Sequence, residues 1–218
     1  PVKEGYTFIG WRSGDKLYTP DEAFDAIYAD KDYTAEFEIN TYDLTYYRGE
    51  EADASEYKCI LALPDGTFVE FFNNDTVNMP TYVVGDVTYG DTVVLGEPML
   101  PGYVFKGWLD ESGYVHPAGA KFTMPASNVL LTAVWEIDTG LSCMVRFVVD
   151  GQLYSAFLAF DGQNATIPAV DPEIAGKRFI GWVYGENTYS NDGVKNFVVE
   201  ANDEREMTLE AAFEDILY

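Results

Sequence analysis

Basic residues are scarce in this chain of 218 residues. Its 13 lysines and arginines stand against 37 aspartates and glutamates, which gives a formal net charge of −24. The acidic residues are scattered, and no cluster rich in lysine or arginine interrupts them. Binding to phosphates needs basic side chains that displace counterions, and a strongly acidic surface repels polyanions. We therefore expect neither nucleic acid nor an anionic membrane surface as a partner.

Long apolar runs are also missing. No stretch of about 18 apolar residues occurs, so the sequence predicts no membrane insertion. No signal peptide is recognisable, and the chain starts at Pro1, from which we expect a fragment of a longer protein. The hydrophobic content of 47% and the aromatic content of 16% nevertheless predict a folded core.

Residues that carry chemistry are few or isolated. The single histidine, His116, precedes a proline, and no second histidine can share a metal with it. No glycine-rich phosphate loop and no nucleophile motif occurs. The segments 72–76 and 185–193 are rich in asparagine and aspartate but do not fit a calcium loop, and turns explain them better. The sequence predicts no enzyme, no catalytic residues, no cofactor and no metal, and it leaves any ligand-binding residue open.

Cysteine is nearly absent. Cys59 and Cys143 lie 84 positions apart in apolar, strand-like stretches, which is neither a metal spacing nor a disulfide framework. We expect two separate buried thiols, since free cysteine is among the most buried residue types. A disulfide is the alternative, and it requires the two Cα atoms to lie within about 7 Å.

The sequence contains a repeated pattern of glycine, aromatic residue, glycine and tryptophan. It reads GYTFIGW at residues 5–11, GYVFKGW at 102–108 and GKRFIGW at 176–182. Each copy is followed, after 26 to 31 positions, by a strand-like segment that ends in alanine, any residue, an aromatic residue and glutamate. Spacing conserved to this degree within one chain indicates a repeated structural unit.

The three units differ in length. The third unit is complete and starts with a strand that runs into an Asp-Gly turn in VVDGQ, which is a strong hairpin signal. A second Asp-Gly pair, in LPDGT, occurs near residue 65. The first begins at the proline step, so we expect it to lack two strands and either to expose an edge or to borrow a strand. The second is longer by 23 positions, with 47–58 and 72–89 as candidate insertions and 41–48 as a candidate first strand. We predict a partial module at 1–38, an enlarged module at 41–136 and a complete module at 141–215.

This order of elements resembles the Listeria–Bacteroides repeat, also called the internalin B-type B repeat. The resemblance covers most of the chain outside the insertion, with Lys177 as a departure where the motif has tyrosine. It implies tandem, small, β-grasp-like modules that are mainly β (α+β), on secreted or cell-surface proteins of bacteria. It carries no catalytic residues. A carbohydrate-binding module that uses exposed aromatics is the alternative.

Strand geometry alone gives the motif a structural explanation. The first glycine predicts a turn, and the second marks a close approach, for which an aromatic ring lying over it is one candidate. By parity the phenylalanine and the tryptophan lie on opposite faces unless a bulge intervenes. We expect the phenylalanines in the core. For Trp11, Trp108 and Trp182, the sequence leaves open whether the rings are buried or face a ligand.

One segment favours a helix. In residues 19–31, Thr19 is a candidate cap, Pro20 occupies the first helical position, and acidic residues follow at the positive end. Taken together, the sequence predicts a spacer or stalk that also serves adhesion or protein interaction. We expect a monomer with a host or bacterial surface protein, or a glycan, as partner.

Overall fold

The structure is a computed structural model, and it describes residues 1–25, 30–50, 52, 55, 57–71 and 81–216. These residues are almost entirely β, which confirms the predicted fold class of mainly β repeat modules. No helix among them is long and apolar enough to span a membrane. The described strands are β1 Tyr6–Ser13, β2 Lys16–Tyr18, β3 Thr34–Ile39, β4 Thr41–Tyr47, β5 Cys59–Ala62, β6 Phe68–Phe71, β7 Thr81–Thr88, β8 Thr92–Val94, β9 Glu97–Met99, β10 Tyr103–Leu109, β11 Val115–His116, β12 Lys121–Thr123, β13 Val129–Ile137, β14 Cys143–Val149, β15 Gln152–Ala159, β16 Asn164–Thr166, β17 Lys177–Tyr184, β18 Asn187–Tyr189, β19 Asn196–Val198 and β20 Glu206–Asp215.

The chain divides into two compact units. Unit 1 consists of Pro1–Thr45, Val83–Val93 and Lys121–Leu130, and unit 2 consists of Tyr46–Tyr82, Val94–Ala120 and Leu131–Tyr218. The three predicted modules, 1–38, 41–136 and 141–215, stay a prediction.

Unit 1 contains a three-stranded antiparallel sheet in the order β2-β1-β3. The motif strand β1 lies in the middle, paired with its hairpin partner β2 on one side and with β3 on the other. In the same unit, β4 and β7 are neighbouring strands. Strand β3 is therefore the last strand of its sheet among the described residues.

Unit 2 contains a five-stranded sheet in the order β15-β14-β20-β17-β18. Strand β14 runs parallel to β20, whereas the other neighbours are antiparallel. A second, two-stranded sheet of β16 and β19 covers the core. This core consists of Cys143, Val145, Phe147, Ala159, Ile167, Trp182, Phe197, Val199, Met207 and Leu209.

The Asp-Gly signal of the complete module is confirmed as a tight hairpin. Asp150 and Gly151 connect β14 to β15 with φ angles of 49° and 78°. Two successive positive φ angles define the type I′ turn, whose twist matches the twist of the flanking strands. In the second module the corresponding pair is β4 and β7, which are separated by residues 48–80.

This pairing locates the insertion and corrects one equivalence. The LPDGT signal does form a hairpin, between β5 and β6, but that hairpin lies inside the inserted segment 48–80 and pairs with β9. It is therefore not the counterpart of VVDGQ. The candidate first strand at 41–48 is confirmed as β4, and the second half of the candidate insertion 72–89 is a strand of the module, β7.

The predicted helix at 19–31 is wrong for the part that the structure describes. The amide of Glu22 donates to the Thr19 carbonyl in a single turn, and Ala23, Phe24 and Asp25 have no regular structure. Residues 26–29 lie outside the described residues. Phe24 packs its ring against Tyr18 at 5.1 Å, so a contact to the sheet replaces the helical repeat.

Both cysteines are buried thiols that form no disulfide, which confirms the expected pair of separate thiols. The Sγ of Cys143 lies 3.2 Å from the carbonyl oxygen of Ala159. Burial raises the pKa of the Cys143 thiol, so this thiol stays protonated and unreactive at neutral pH.

Candidate functional site

The three motif strands β1, β10 and β17 share one pattern of pairing. Each is flanked by a short hairpin partner and by the last strand of its repeat, and its tryptophan lies opposite an alanine of that last strand. The pairs are Trp11 with Ala35, Trp108 with Ala133 and Trp182 with Ala211. The repeated sequence motif therefore corresponds to the same strand pairing, in the same register, in all three repeats.

A β-bulge in the motif strand changes the face of the sheet on which the motif side chains lie. In all three strands the register shifts between the phenylalanine and the second glycine, for example between Phe179 and Gly181. The extra residue reverses the parity that a regular strand has. Phenylalanine and tryptophan consequently lie on the same face, with ring centroids 5.4 Å apart for Phe179 and Trp182. The expected separation on opposite faces is wrong, and the bulge is the reason.

The second glycine of the motif is required by a backbone carbonyl and not by an aromatic ring. A Cβ at Gly107 would lie 2.7 Å from the carbonyl oxygen of His116, and one at Gly181 would lie 2.7 Å from that of Tyr189. The φ angles of 140° and 156° at these positions also disfavour side chains. The aromatic ring expected over this glycine is absent among the described neighbours.

The first glycine of the motif forms the predicted turn. Gly5, Gly102 and Gly176 have φ angles of 73°, 79° and 77°. The carbonyl of each glycine also accepts a hydrogen bond from the amide of the residue that follows the last strand of the repeat. The Asn40 amide donates to Gly5 at 2.9 Å, and the Asp138 amide donates to Gly102 at 2.8 Å. The turn and the end of the repeat are thereby fixed together.

Two of the three motif tryptophans are core residues. Trp108 and Trp182 are fully buried. The ring of Tyr46, from β4, lies 4.7 Å from Trp108, and the ring of Phe147, from β14, lies 5.0 Å from Trp182. The indole nitrogen of Trp108 donates to the carbonyl of Gly96 at 2.8 Å. In these two repeats an aromatic residue on the first strand covers the tryptophan.

Trp11 differs, because it is only half-buried. Its ring packs edge-to-face against Phe8 at 5.6 Å, and Phe8 packs in the same way against Phe37. No aromatic from a first strand covers it among the described residues. The interplanar angles of 67° and 65° leave these rings without a shared plane. A flat platform for stacking against a sugar ring is therefore not present in this cluster.

The three motif phenylalanines are half-buried. Phe8, Phe105 and Phe179 are each of intermediate exposure and each contact the tryptophan of their own repeat. They border the core but are not fully buried, so the expectation that they belong to the core is met only at its edge. In unit 1, Phe8 and Trp11 together form a half-buried aromatic face of the motif.

The opposite face of this sheet in unit 1 carries an ion pair, because Arg12 follows Trp11 on β1 and Glu36 precedes Phe37 on β3. Arg12 of β1 forms an ion pair with Glu36 of β3, and its Nη2 lies 2.9 Å from Oε2 of that carboxylate. The hydrogen bond from Arg12 lowers the pKa of Glu36. Both side chains are partly exposed, so this pair contributes little to stability.

The lone histidine has a structural partner. Nε2 of His116 lies 2.8 Å from Oδ2 of Asp110. Oδ1 of the same carboxylate accepts from the Ser112 hydroxyl, the Ser112 amide and the Tyr114 amide. The hydrogen bonds from Ser112 and His116 hold the pKa of Asp110 far below its usual range. This arrangement closes the β10–β11 loop. Within the described residues, no group of three acidic, histidine or cysteine side chains is placed to hold a metal.

A small cleft in unit 2 has a volume of about 230 Å³. Its walls are mostly apolar, with Met99, Phe105 and Trp135 among them. Two carboxylates, Glu97 and Asp138, line it, and Asp138 accepts hydrogen bonds from the amides of Gly140 and Ser142. These amides lower the pKa of Asp138, which therefore serves a turn and stays ionised.

Sequence reasoning missed an apolar junction within unit 2. Ile60 of β5, Met144 of β14 and Ala156 of β15 are buried together, and Phe68 and Leu153 pack against them. Met144 points away from the core that Val145 and Phe147 fill. Strand β14 is therefore covered on both of its faces, once by its own module and once by the inserted hairpin of β5 and β6.

Ion pairs border this junction. Arg146 of β14 contacts Glu70 of β6 and Glu206 of β20, and Lys58 lies 3.2 Å from Glu206. Burial by itself would raise the pKa of Glu206, but the hydrogen bond and charge of Arg146, together with Lys58, lower it. The apolar character of CMVRFVV, interrupted only by Arg146, is the signal in the sequence that indicates a strand buried on both faces.

Comparisons with known proteins agree with the resemblance of the motifs. Residues 73–139 match a family model described as "Divergent InlB B-repeat domain". A "Putative Gly-rich membrane protein" of Evansella cellulosilytica is 27% identical over 194 residues, which is 85% of this chain and 18% of that protein. The chain thus spans less than a fifth of this relative. Domains 3–4 of a Streptococcal High Identity Repeats in Tandem protein, from a cell-surface protein, align with 81% of this chain and all of that chain at 13% identity, with a TM-score of 0.24.

Proposed function

We propose that this chain is a non-catalytic repeat region of a bacterial secreted or cell-surface protein, where it acts as a spacer. It holds neighbouring parts of a longer polypeptide at a set separation and offers a surface for protein contact. The match of residues 73–139 to a repeat family and the similarity to a membrane protein support a surface repeat region.

The observation that carries the spacer role is the junction within unit 2. A flexible linker between repeats would leave both faces of β14 exposed to solvent or covered by its own module alone. Instead, Ile60, Met144 and Ala156 are buried against one another, and Arg146 is tied to Glu70 on the opposite side of the junction. An interface that combines buried apolar side chains with ion pairs restricts rotation between the elements that it joins.

The arrangement of titratable groups supports a non-catalytic role. Catalysis needs convergent groups with perturbed pKa values around a space for substrate. The perturbed carboxylates described above, Glu36, Asp110, Asp138 and Glu206, each pair with local amides, a hydroxyl, an imidazole or cations.

Distance measurements test the spacer. Spin labels at Glu111 and Asp192, both exposed in unit 2, are introduced into a chain that carries Cys59→Ala and Cys143→Ala. Pulsed electron resonance is expected to give one narrow distance distribution. A distribution as broad as that of a flexible linker would overturn the proposal.

Two controls keep the result interpretable. Labels at Asp161 and Asp192 report on the third repeat alone, and they show whether the labelled protein is folded. The double substitution Ile60→Ala with Met144→Ala removes apolar contacts of the junction but none of the residues of the core around Trp182. It is expected to broaden the first distribution and to leave the second unchanged.

As partner we propose a surface protein, with a glycan as the other candidate. The edge-to-face packing of Trp11, Phe8 and Phe37 favours a protein over a sugar ring, which stacks on a flat aromatic face. A glycan array with the intact chain tests this choice. Sugar binding that is lost in Trp11→Ala while the circular dichroism spectrum stays unchanged would favour the carbohydrate-binding alternative.

A further inference from the structure

The small cleft of unit 2 has the size of a single side chain and walls of aromatic rings. Its volume of about 230 Å³ lies below the about 300–1,000 Å³ typical of pockets for drug-sized ligands. The ring of Trp135 meets that of Tyr103 at 70° and that of Phe105 at 64°, so the three rings form a corner. The indole nitrogen of Trp135 donates to the Arg48 carbonyl at 2.7 Å, which fixes the orientation of this ring.

The first repeat shows what the corresponding rings bind. Nζ of Lys3 lies 3.5 Å from the ring centroid of Tyr6 and 5.8 Å from that of Phe37. Tyr6 is the counterpart of Tyr103, because each directly follows the first glycine of the motif. Phe37 is the counterpart of Trp135, because each pairs with the motif phenylalanine. An ammonium within about 6 Å of the centroid of an aromatic ring is attracted by the quadrupole of the ring.

The third repeat also carries a lysine in this region. Lys177 stands where the second repeat has Tyr103, directly after the first glycine of the motif. The corresponding cleft of the third repeat is lined by Lys177 together with Asp171 and Phe179. Two of the three repeats therefore place an ammonium of their own beside the first glycine of the motif.

The second repeat has the rings but lacks such a lysine. Leu100 occupies the position of Lys3, since its carbonyl accepts from the amide of Tyr103 at 3.1 Å, as the carbonyl of Lys3 accepts from that of Tyr6. Leu100 is fully buried and apolar. Within the described part of the chain, no lysine or arginine lies over the ring of Tyr103 or Trp135.

Of the two carboxylates that line the cleft, Glu97 is the one available to a ligand. Asp138 is held by the amides of its own turn, and the charge of Arg205 also acts on it. The guanidinium carbon of Arg205 lies 5.3 Å from the Tyr57 ring. Glu97, in β9, is exposed and forms no ion pair with any residue that the structure describes.

We propose that this cleft binds the ammonium of a lysine side chain of the partner protein, between the rings of Tyr103 and Trp135 and with Glu97 as its counter-charge. The inference rests on the proposed function, which names a protein as the partner. The net charge of −24 attracts basic surfaces to the chain. A lysine fits better than an arginine, because a planar guanidinium stacks on a flat aromatic face, whereas a compact ammonium fits a corner of rings.

A lysine derivative tests the cleft in the intact chain 1–218. The probe is Nα-acetyl-lysine methylamide, and the readout is the indole N–H signal of Trp135 in a two-dimensional NMR spectrum, assigned with Trp135→Phe. We expect a saturable shift with a dissociation constant of about 1–10 mM. Nα-acetyl-norleucine methylamide keeps the apolar stem and lacks the ammonium, so it is expected to bind about tenfold more weakly.

Variants assign the two parts of the site. Glu97→Gln is expected to weaken binding of the lysine derivative about fivefold, whereas the matched control Glu111→Gln, which removes the same charge from an exposed loop, leaves it unchanged. Tyr103→Lys gives the second repeat the lysine of the third, and this tethered ammonium is expected to abolish binding. Tyr103→Phe keeps the ring and is expected to keep binding.

Four results would overturn the proposal. They are an unchanged Trp135 signal at every probe concentration, equal affinities for the lysine and norleucine derivatives, equal losses in Glu97→Gln and Glu111→Gln, and about tenfold tighter binding of choline. The last result would assign the cleft to a small quaternary ammonium compound. The spacer is tested without any probe, by the distance between labels at Glu111 and Asp192. A rigid chain that ignores lysine overturns this inference alone, and a flexible chain that binds lysine overturns the spacer alone.

Discussion

At the scale of single residues, the two buried motif tryptophans, Trp108 and Trp182, differ in the hydrogen bonding of the indole nitrogen. The indole nitrogen of Trp108 donates to the carbonyl of Gly96 at 2.8 Å, whereas the indole nitrogen of Trp182 is buried without a hydrogen-bond partner among the described residues. Buried polar groups without partners reduce stability. The ring of Trp182 must therefore stabilise the third repeat through its packing alone.

This difference predicts opposite responses to phenylalanine. Trp108→Phe leaves the Gly96 carbonyl unpaired and is expected to cost about 1–3 kcal/mol more than Trp182→Phe, which also removes an unsatisfied donor. Urea unfolding, with each transition fitted separately, measures the two losses. Equal losses would show that the hydrogen bond of Trp108 adds nothing beyond the packing of the ring.

The second glycine of the motif gives a further test at this scale. Gly107→Ala places a methyl group against the His116 carbonyl at a φ angle of 140°, and we expect a loss of about 1–3 kcal/mol. Gly85→Ala is the matched control, since its Cβ would meet only the Asp43 side chain at 3.5 Å. A loss for Gly107→Ala as small as that for the control would contradict the role of the close carbonyl.

Much of this local structure could be predicted from the motif sequence, but the β-bulge could not. The turn at the first glycine and a close approach at the second follow from backbone geometry. The burial of Trp108 and Trp182 was left open, because it depends on strands that are distant in sequence. The bulge does not follow from the motif, because a register shift depends on the partner strand, and one strand read alone shows only its own alternation. Without the bulge, the sequence prediction placed the phenylalanine and the tryptophan on opposite faces of the sheet.

At the scale of elements, β14 joins two parts of unit 2. Its residues alternate between the core that holds Phe147 and the junction that holds Met144 and Arg146. Glu206, at the start of β20, binds Arg146 and Lys58 at the edge of this junction. The stability of the junction is therefore coupled to the ionisation of one carboxylate.

The coupling predicts a pH dependence with a defined sign. The pKa of Glu206 is lowered in the folded chain, so its contribution is complete above the unfolded pKa of about 4.3 and is lost as the pH falls through the folded value. Glu206→Gln is expected to cost about 1.5–3 kcal/mol at pH 7. The difference in melting temperature between the two proteins should shrink toward pH 3, and a difference that stays constant would contradict the coupling.

Prediction from sequence was uneven at this scale. The hairpins of β14–β15 and β5–β6 were predictable because Asp-Gly turns are local signals. The role of the second hairpin was not, since its partners, β9 and the outer face of β14, are distant in sequence. The helix at 19–25 failed for a related reason, because the contact of Phe24 with Tyr18 outweighs a cap and a favourable first turn.

At the scale of the whole chain, charge is the dominant property. A net charge of −24 on 218 residues opposes compaction through repulsion among the acidic side chains. Raising the salt concentration from about 10 to 150 mM shortens the screening length from about 30 to 8 Å. We expect the melting temperature to rise over this range, by roughly 2–4 °C for each kcal/mol of repulsion that is screened.

A charge-reduced variant is the control for this prediction. Four exposed acidic residues, Glu4, Glu111, Asp192 and Glu200, are replaced by lysine, which changes the net charge from −24 to −16 because each substitution adds two charges. Its melting temperature is expected to depend less on salt than that of the unchanged chain. The same slope for both proteins, measured by calorimetry, would show that repulsion does not limit stability.

The parallel pairing of β14 and β20 has a consequence for tension. β14 begins the third repeat and β20 ends it, and the two lie side by side from Met144 with Glu206 to Val148 with Glu210. A pull on the two ends of this repeat drags neighbouring strands past each other in opposite directions, so their hydrogen bonds are strained together. A hairpin pulled at its open end would lose them one by one. The repeat is therefore built to resist stretching along the chain.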